Sequence, residues 1–220
     1  MIEYLNHFLS IYNLLLCLNF LLFGILAIKT RQKTHVTLMV YLLVIVVIQF
    51  YSGYLSFQGI HNTHISHFYF ILQFLILGYF YYNIFNQTFQ KNLIKYSMIF
   101  CLFILGVQYA IYPEMFFKFN NLEIFLTSYL LIIYSLFHFY NLLSAKKYYL
   151  YLNIGVFFYL FGSTILFLLA NLSIVVDLKG INAILNIVLF LFYHIFIFIE
   201  WTQLYFKKEK SNPKKVIYGI

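Results

Sequence analysis

Residues 29–57 read KTRQKTHVTLMVYLLVIVVIQFYSGYLSF. Three cations, Lys29, Arg31 and Lys33, crowd the start, and from Val36 to Phe57 no charged side chain follows. Helix rises 1.5 Å per residue, so crossing a hydrocarbon layer about 30 Å thick takes roughly 20 apolar residues. The stretch Val36–Phe57 therefore reads as a membrane-spanning helix whose start is held at the surface by lysine and arginine. It is not a barrel strand, which alternates apolar and polar residues over about ten positions.

Outward from this segment the same pattern recurs at Leu5–Ile28, His64–Phe85, Tyr96–Tyr112, Leu122–Leu143, Tyr149–Leu172 and Ile181–Phe206. The fourth stretch is the shortest, and a start near Leu93 suits it equally. The expected fold is all-α: a seven-helix membrane bundle over residues 1–206 with a short basic tail at 207–220. Composition agrees. Hydrophobic residues make up 64% of the 220-residue chain and charged residues 9%, whereas a soluble domain carries roughly a quarter charged residues. A soluble globule is excluded, and so is a disordered chain, which is poor in apolar side chains. Cys17 and Cys101 both fall in apolar stretches, which implies free thiols and no disulfide framework. The net charge of +8 comes from short clusters between spans, so it does not build a nucleic-acid-binding face.

Lysine and arginine are retained in cytoplasmic loops. With the amino terminus outside and the carboxy terminus inside, twelve of the fourteen cations fall on the inner side, and only Lys118 and Lys179 fall outside. Span one has Glu3 in place of a positive leader and is longer than a secretion signal's apolar core, so it reads as an uncleaved anchor. The bias toward Phe, Tyr, Ile, Asn and Lys is that of an AT-rich bacterial genome, which points to a bacterial inner membrane.

Polar side chains inside a bilayer face other helices. On helix 7, Asn182, Asn186, Tyr193 and Glu200 lie within about 40° of one another. Helix 5 aligns Thr127, Tyr134, His138 and Asn141. Helix 1 aligns Asn6, Ser10, Asn13, Cys17 and Gly24, helix 6 aligns Asn153, Thr164 and Asn171, and helix 2 gathers Gln49, Ser52, Gly53 and Ser56 in its second half. Such stripes mark either a packed inner face or a polar cavity. Gly155, Gly162 and Ser163 suit close helix packing.

Glu200 is the acid read as lying within a span, Glu123 being counted with the outer surface. An intramembrane carboxylate needs a partner, and His138, at similar depth on helix 5, is the expected one. That pair would carry a proton; the competing reading is an interfacial anchor beside Trp201. His61, His64 and His67 form an H-x-x-H-x-x-H series whose spacing lets two imidazoles share a metal ion, although no cysteine is near. His138 and His194 are the haem-ligand candidates, at unequal depths. No cofactor is expected.

No glycine-rich phosphate loop and no C-x-x-C pair occurs, and no lysine lies deep in a span to carry a retinal Schiff base. The expected function is a non-enzymatic sensor, relay or accessory subunit with a small or lipidic ligand at Glu200, His138, Tyr193, Asn186, Asn182, Asn141 and Tyr134. The alternative is a transporter or oligomeric pore subunit with a proton-linked step at Glu200 and His138. The expected partners are the lipid bilayer and a cytosolic or membrane protein, with a homo-oligomer also allowed.

Overall fold

The computed structural model describes residues 2–144, 148–172 and 179–210. Among these residues it is all-helical, with α1 (Ile2–Thr30), α2 (Lys33–Phe57), α3 (Thr63–Ile84), α4 (Thr88–Ile111), α5 (Asn121–Ser144), α6 (Leu150–Leu172) and α7 (Lys179–Lys210). A single 3₁₀ turn, Pro113–Phe117, follows α4. All seven helices are long and apolar enough to cross a bilayer, which marks the chain as a multi-pass integral membrane protein. The basic tail beyond Lys210, together with Lys146, Lys147 and Asp177, lies outside the described residues.

The fourth helix begins at Thr88, eight residues before the expected start at Tyr96. The added turns are not apolar. Lys91 lies over the ring of Tyr82 at 5.7 Å and Lys95 over that of Tyr96 at 5.8 Å, so the aliphatic stems pack while the ammonium groups stay at the surface. Hydropathy finds the span and not this amphipathic lead-in.

Short connections make successive helices antiparallel. α1, α2, α3, α5, α6 and α7 close a ring in which each packs on the next and α7 returns to α1; α4 lies outside it, against α3 and α5. Arg31 takes a left-handed φ of 53° in the two-residue turn from α1 to α2, its N–H donating to the Ala27 carbonyl at 2.8 Å. After α2, Gly59 (φ 70°) stands in the left-handed position of a Schellman ending, with Ile60 N–H on Leu55 O and Gly59 N–H on Ser56 O.

The ring is filled by aromatic residues, and Tyr41, Tyr81, Tyr134, Tyr193, Phe23 and Phe74 are fully buried. From the polar stripes of helices 5, 6 and 7, Thr127, Tyr134, His138, Asn153, Tyr193 and Glu200 are all buried in this core; the side chains of Asn6 and Asn171 lie outside those described. Two stripes fare differently. On α1 the buried face is Tyr12, Leu16, Asn19, Phe23 and Leu26, while Cys17 is only half-buried. On α2, Gln49 and Ser52 are half-buried but Gly53 and Ser56 are exposed.

Close approach of α6 and α7 depends on Gly155 and Gly162. A Cβ at Gly155 would stand 2.9 Å from the Phe196 Cβ and 3.2 Å from the Tyr193 carbonyl, atoms that cannot swing aside. At Gly78 the crowding atom is the sulfur of Met98, the end of a flexible chain. Gly155→Ala is therefore expected to cost about 2 kcal/mol, and Gly78→Ala well under about 1 kcal/mol. Thermal unfolding of the two variants in the same detergent checks the ordering; equal midpoints would remove the packing role of Gly155.

Candidate functional site

Enclosed by α2, α3, α6 and α7, in the half of the bundle nearest the amino terminus, is a cavity of about 340 Å³. Gln49 and Ser52 come from the end of α2, Ser66, Tyr69 and Phe70 from the start of α3, Tyr159 and Phe167 from α6, and Asn186 and Phe190 from α7. Tyr12 of α1 and Phe119, just before α5, complete the wall. Among the described residues no charged side chain lines it. Its size and its apolar body with a few hydroxyl and amide groups are those of a small-molecule site.

The floor of this cavity continues into a hydrogen-bonded chain across the ring. The hydroxyls of Tyr69 and Tyr159 meet at 2.8 Å. Gln73 donates from Nε2 to Tyr69 at 3.2 Å and to Tyr41 at 3.1 Å, and Tyr193 donates to Tyr41 at 3.0 Å. α3 is thus tied to α6, and α2 to α7, although neither pair is adjacent in the ring. The Tyr159 and Tyr193 rings also stack at 5.3 Å. Nearer the carboxy-terminal end, Tyr81 donates to Asn153 Oδ1 at 2.7 Å, and Asn153 donates to the Ser135 carbonyl at 3.1 Å.

Glu200 occupies a different place. Its carboxylate accepts the backbone N–H groups of Tyr149 (3.0 Å), Tyr151 (2.9 Å) and Leu152 (3.3 Å). These are free donors at the start of α6, where Ser, Asp or Asn ordinarily serves as the cap. Here the cap is supplied by α7. A negative charge also suits the positive end of the helix dipole. Tyr149, held in this way, has a left-handed φ of 57°. His138 bonds the same segment, through Nε2 to the Tyr148 carbonyl at 3.1 Å. The two ionisable residues thus meet on one strip of backbone and not on each other. His138 and Asn141 also line a second cavity of about 640 Å³ at the carboxy-terminal end, with Gln32, Asn83, Asn86 and Gln87.

The remaining site residues are dispersed. Asn186 lines the cavity, and its Oδ1, like Nδ2 of Asn182, is buried without a hydrogen-bond partner. Tyr134 bonds Ser97 of α4 at 2.6 Å. Asn141 forms a reciprocal amide pair with Gln90, at 3.0 and 2.9 Å. His194 is fully buried against Phe190 and receives Asn19 Nδ2 at its carbonyl (2.8 Å) and at its Nδ1 (3.3 Å). His138 and His194 therefore face separate neighbourhoods. Of the histidine series, His61 bonds Thr63 at 3.1 Å and His64 faces the Phe116 ring at 6.2 Å. Among the described residues no three His, Cys, Asp or Glu side chains converge as a metal set.

His67 alone enters a buried cluster, and with an acid 56 positions away. Its Nδ1 lies 3.2 Å from both carboxylate oxygens of Glu123 and 3.0 Å from the Tyr109 hydroxyl. Tyr109 also donates to Glu123 Oε2. Asn120 caps α5 through the Glu123 N–H, donates to Tyr109 at 3.2 Å, and pairs reciprocally with Gln108 at 3.1 and 2.9 Å. Glu123 is 0% exposed. A residue counted with the outer surface is, among the described residues, one of two buried acids.

The chain matches no family model, no curated protein and no solved structure. The class of protein rests on its own physics: a seven-helix, aromatic-filled membrane bundle with a cavity at one end.

Proposed function

We propose that this protein is a membrane sensor that binds a small neutral ligand in the cavity near its amino terminus and relays binding through α7 to a partner protein. The supporting observation is the continuity between the cavity wall and the chain Tyr159–Tyr69–Gln73–Tyr41–Tyr193. A ligand that bonds Tyr69 or Tyr159 competes for the same hydroxyls that hold α2, α3, α6 and α7 together, so binding and helix position are linked. With no charge among the described residues of the wall, a charged ligand would have to give up its hydration without compensation from them. A neutral body bearing one or two hydroxyl or amide groups fits. With the amino terminus outside, as the lysine distribution supports, the ligand reaches the site from the exterior side.

Thermal stabilisation of the purified protein by benzamide and cyclohexanol, as neutral probes, tests the site. Ser66→Phe, which fills the cavity from α3, is expected to abolish the stabilisation while leaving the unliganded midpoint within about 2 °C. No stabilisation of the unmodified protein by either probe argues against the cavity as a binding site.

One observation favours transport as a second reading: the two cavities lie at opposite ends of the bundle, with the tyrosine layers between them. Probe flux across proteoliposomes carrying the unmodified protein separates the two, because a sensor passes none.

A further inference from the structure

We propose that His67, Glu123 and Tyr109 form a proton-binding site whose loading releases the turn Pro113–Phe117 from α3. The cluster stands apart from the ligand cavity, and its hydrogens can be counted. With Glu123 ionised and His67 neutral, one arrangement satisfies the cluster. Nδ1–H of His67 donates to the carboxylate, the Tyr109 hydroxyl donates to Oε2, and Nε2 carries no hydrogen. That last condition matters, because Nε2 is buried and has no hydrogen-bond partner.

One further proton breaks this arrangement. On the imidazole it creates a buried, unpaired Nε2–H. A carboxyl hydrogen aimed at Nδ1 forces the ring into its other tautomer, and again Nε2–H is buried. Aimed at Tyr109, which already accepts from Asn120, it leaves the phenol hydrogen to turn to Nδ1, with the same result. Each of these routes ends in a donor without an acceptor, and buried donors of that kind are costly; the remaining route reverses the Tyr109–Glu123 bond and turns the phenol hydrogen of the half-buried Tyr109 out of the cluster.

The covering over this site is thin. Phe116 stacks on the His67 ring at 5.5 Å and 28°, and it belongs to a single 3₁₀ turn. That turn is held by the bonds Met115 N–H to Tyr112 O and Lys118 N–H to Met115 O. Its residues Pro113, Glu114 and Phe117 are exposed. Displacing Phe116 admits water to Nε2–H and relieves the penalty, so proton uptake and opening of the turn are one equilibrium. The titratable and charged groups of the packed elements are His61 and His64 beside α3, and Cys101, Tyr109 and Tyr112 on α4 or its end. Glu114 and Lys118 lie in or next to the turn, and Glu123 is on α5. Tyr112, Glu114, Lys118 and His61 are exposed, His64 is half-buried against Phe116, and Cys101 is buried on α4; His67 and Glu123 are the buried pair in direct contact.

The test uses the full chain in lipid nanodiscs. Nitrogen NMR of ¹⁵N-histidine protein, with His67 assigned by the signal lost in His67→Gln, reads the tautomer. Hydrogen–deuterium exchange, corrected for intrinsic pH dependence, reads the segment 112–120. The expected result is an Nδ1–H tautomer at pH 8, and exchange that rises about tenfold toward pH 5 with the same midpoint as loss of that tautomer. Glu123→Gln and His67→Gln are each expected to make the exchange independent of pH. An Nε2–H tautomer at pH 8, or a pH-independent segment in the unmodified protein, overturns the proposal; the exchange measurement needs no substitution, so a variant that fails to fold does not obscure the answer.

Discussion

Replacing Glu200 by alanine is expected to lower stability by about 4 kcal/mol, which for a chain of this size is a fall in Tm of roughly 10 °C. The reason is local. Three backbone donors at the start of α6 lose their acceptor inside the bundle, and no side chain from residues 149–152 stands ready to replace it. Tyr149 adds to the loss. A non-glycine residue in the left-handed region costs about 1–3 kcal/mol and persists only where its surroundings fix it; the Glu200 carboxylate on its N–H is one such restraint, and the bond from Thr34 to its hydroxyl at 2.7 Å is another. Glu200→Gln keeps one oxygen acceptor but turns an amide N–H toward a backbone N–H, so about 2 kcal/mol is expected. Thermal unfolding with both variants gives the order Ala, Gln, unmodified. The comparison also decides the role of the residue. A proton carrier changed to glutamine keeps its fold and loses its activity, whereas a helix cap loses stability in proportion to its lost bonds.

The seven spans were legible because length and apolar content alone determine what crosses a bilayer, and the inward stripes of α5 and α7 followed from helical periodicity. Periodicity was less informative on α1. Asn19, at 0% exposure, lies off the stripe that runs through Asn13 and Cys17, so the helix is rotated from the orientation its other polar residues imply. The setting of Glu200 was half legible. Its depth and its proximity to the level of His138 followed from span ends, but a carboxylate capping another helix leaves no mark in the spacing, because its partners are backbone N–H groups that every residue carries. His67 and Glu123 are 56 residues apart, and nothing in either local pattern names the other. Glu123 sits in the first turn of α5, where an acid reads as a surface residue, and only tertiary packing buries it. The tyrosine chain was hidden by abundance, since 22 tyrosines offer no reason to choose four. Gln73 was the available signal. It interrupts the middle of the third apolar stretch, where an unpaired amide is expensive.

That same amide is the place to break the relay. Gln73 is 3% exposed and donates to two phenol oxygens at once. Leucine is close to it in volume and can donate to neither. Gln73→Leu is expected to cost roughly 2 kcal/mol, seen as a Tm lower by about 5 °C, with Tyr69–Tyr159 and Tyr193–Tyr41 surviving as separate pairs. Its effect on signalling is larger than its effect on the fold. Trp201 is the single tryptophan of the chain; it lies near the carboxy-terminal end of α7, and its Nε1–H donates to the Leu22 carbonyl of α1 at 2.9 Å. It therefore reports on α7 far from the cavity. In the unmodified protein, cyclohexanol is expected to shift Trp201 emission with the same concentration dependence as thermal stabilisation. In Gln73→Leu the stabilisation persists, within about threefold in apparent Kd, while the emission shift disappears, because the cavity wall is intact and the bridge from α3 to α2 and α7 is cut. If the emission shift survives in this variant, coupling runs through the stacked rings of Tyr159 and Tyr193 and not through the amide. If the emission is unmoved in the unmodified protein while the probe stabilises it, the cavity binds without relaying and the sensor reading fails.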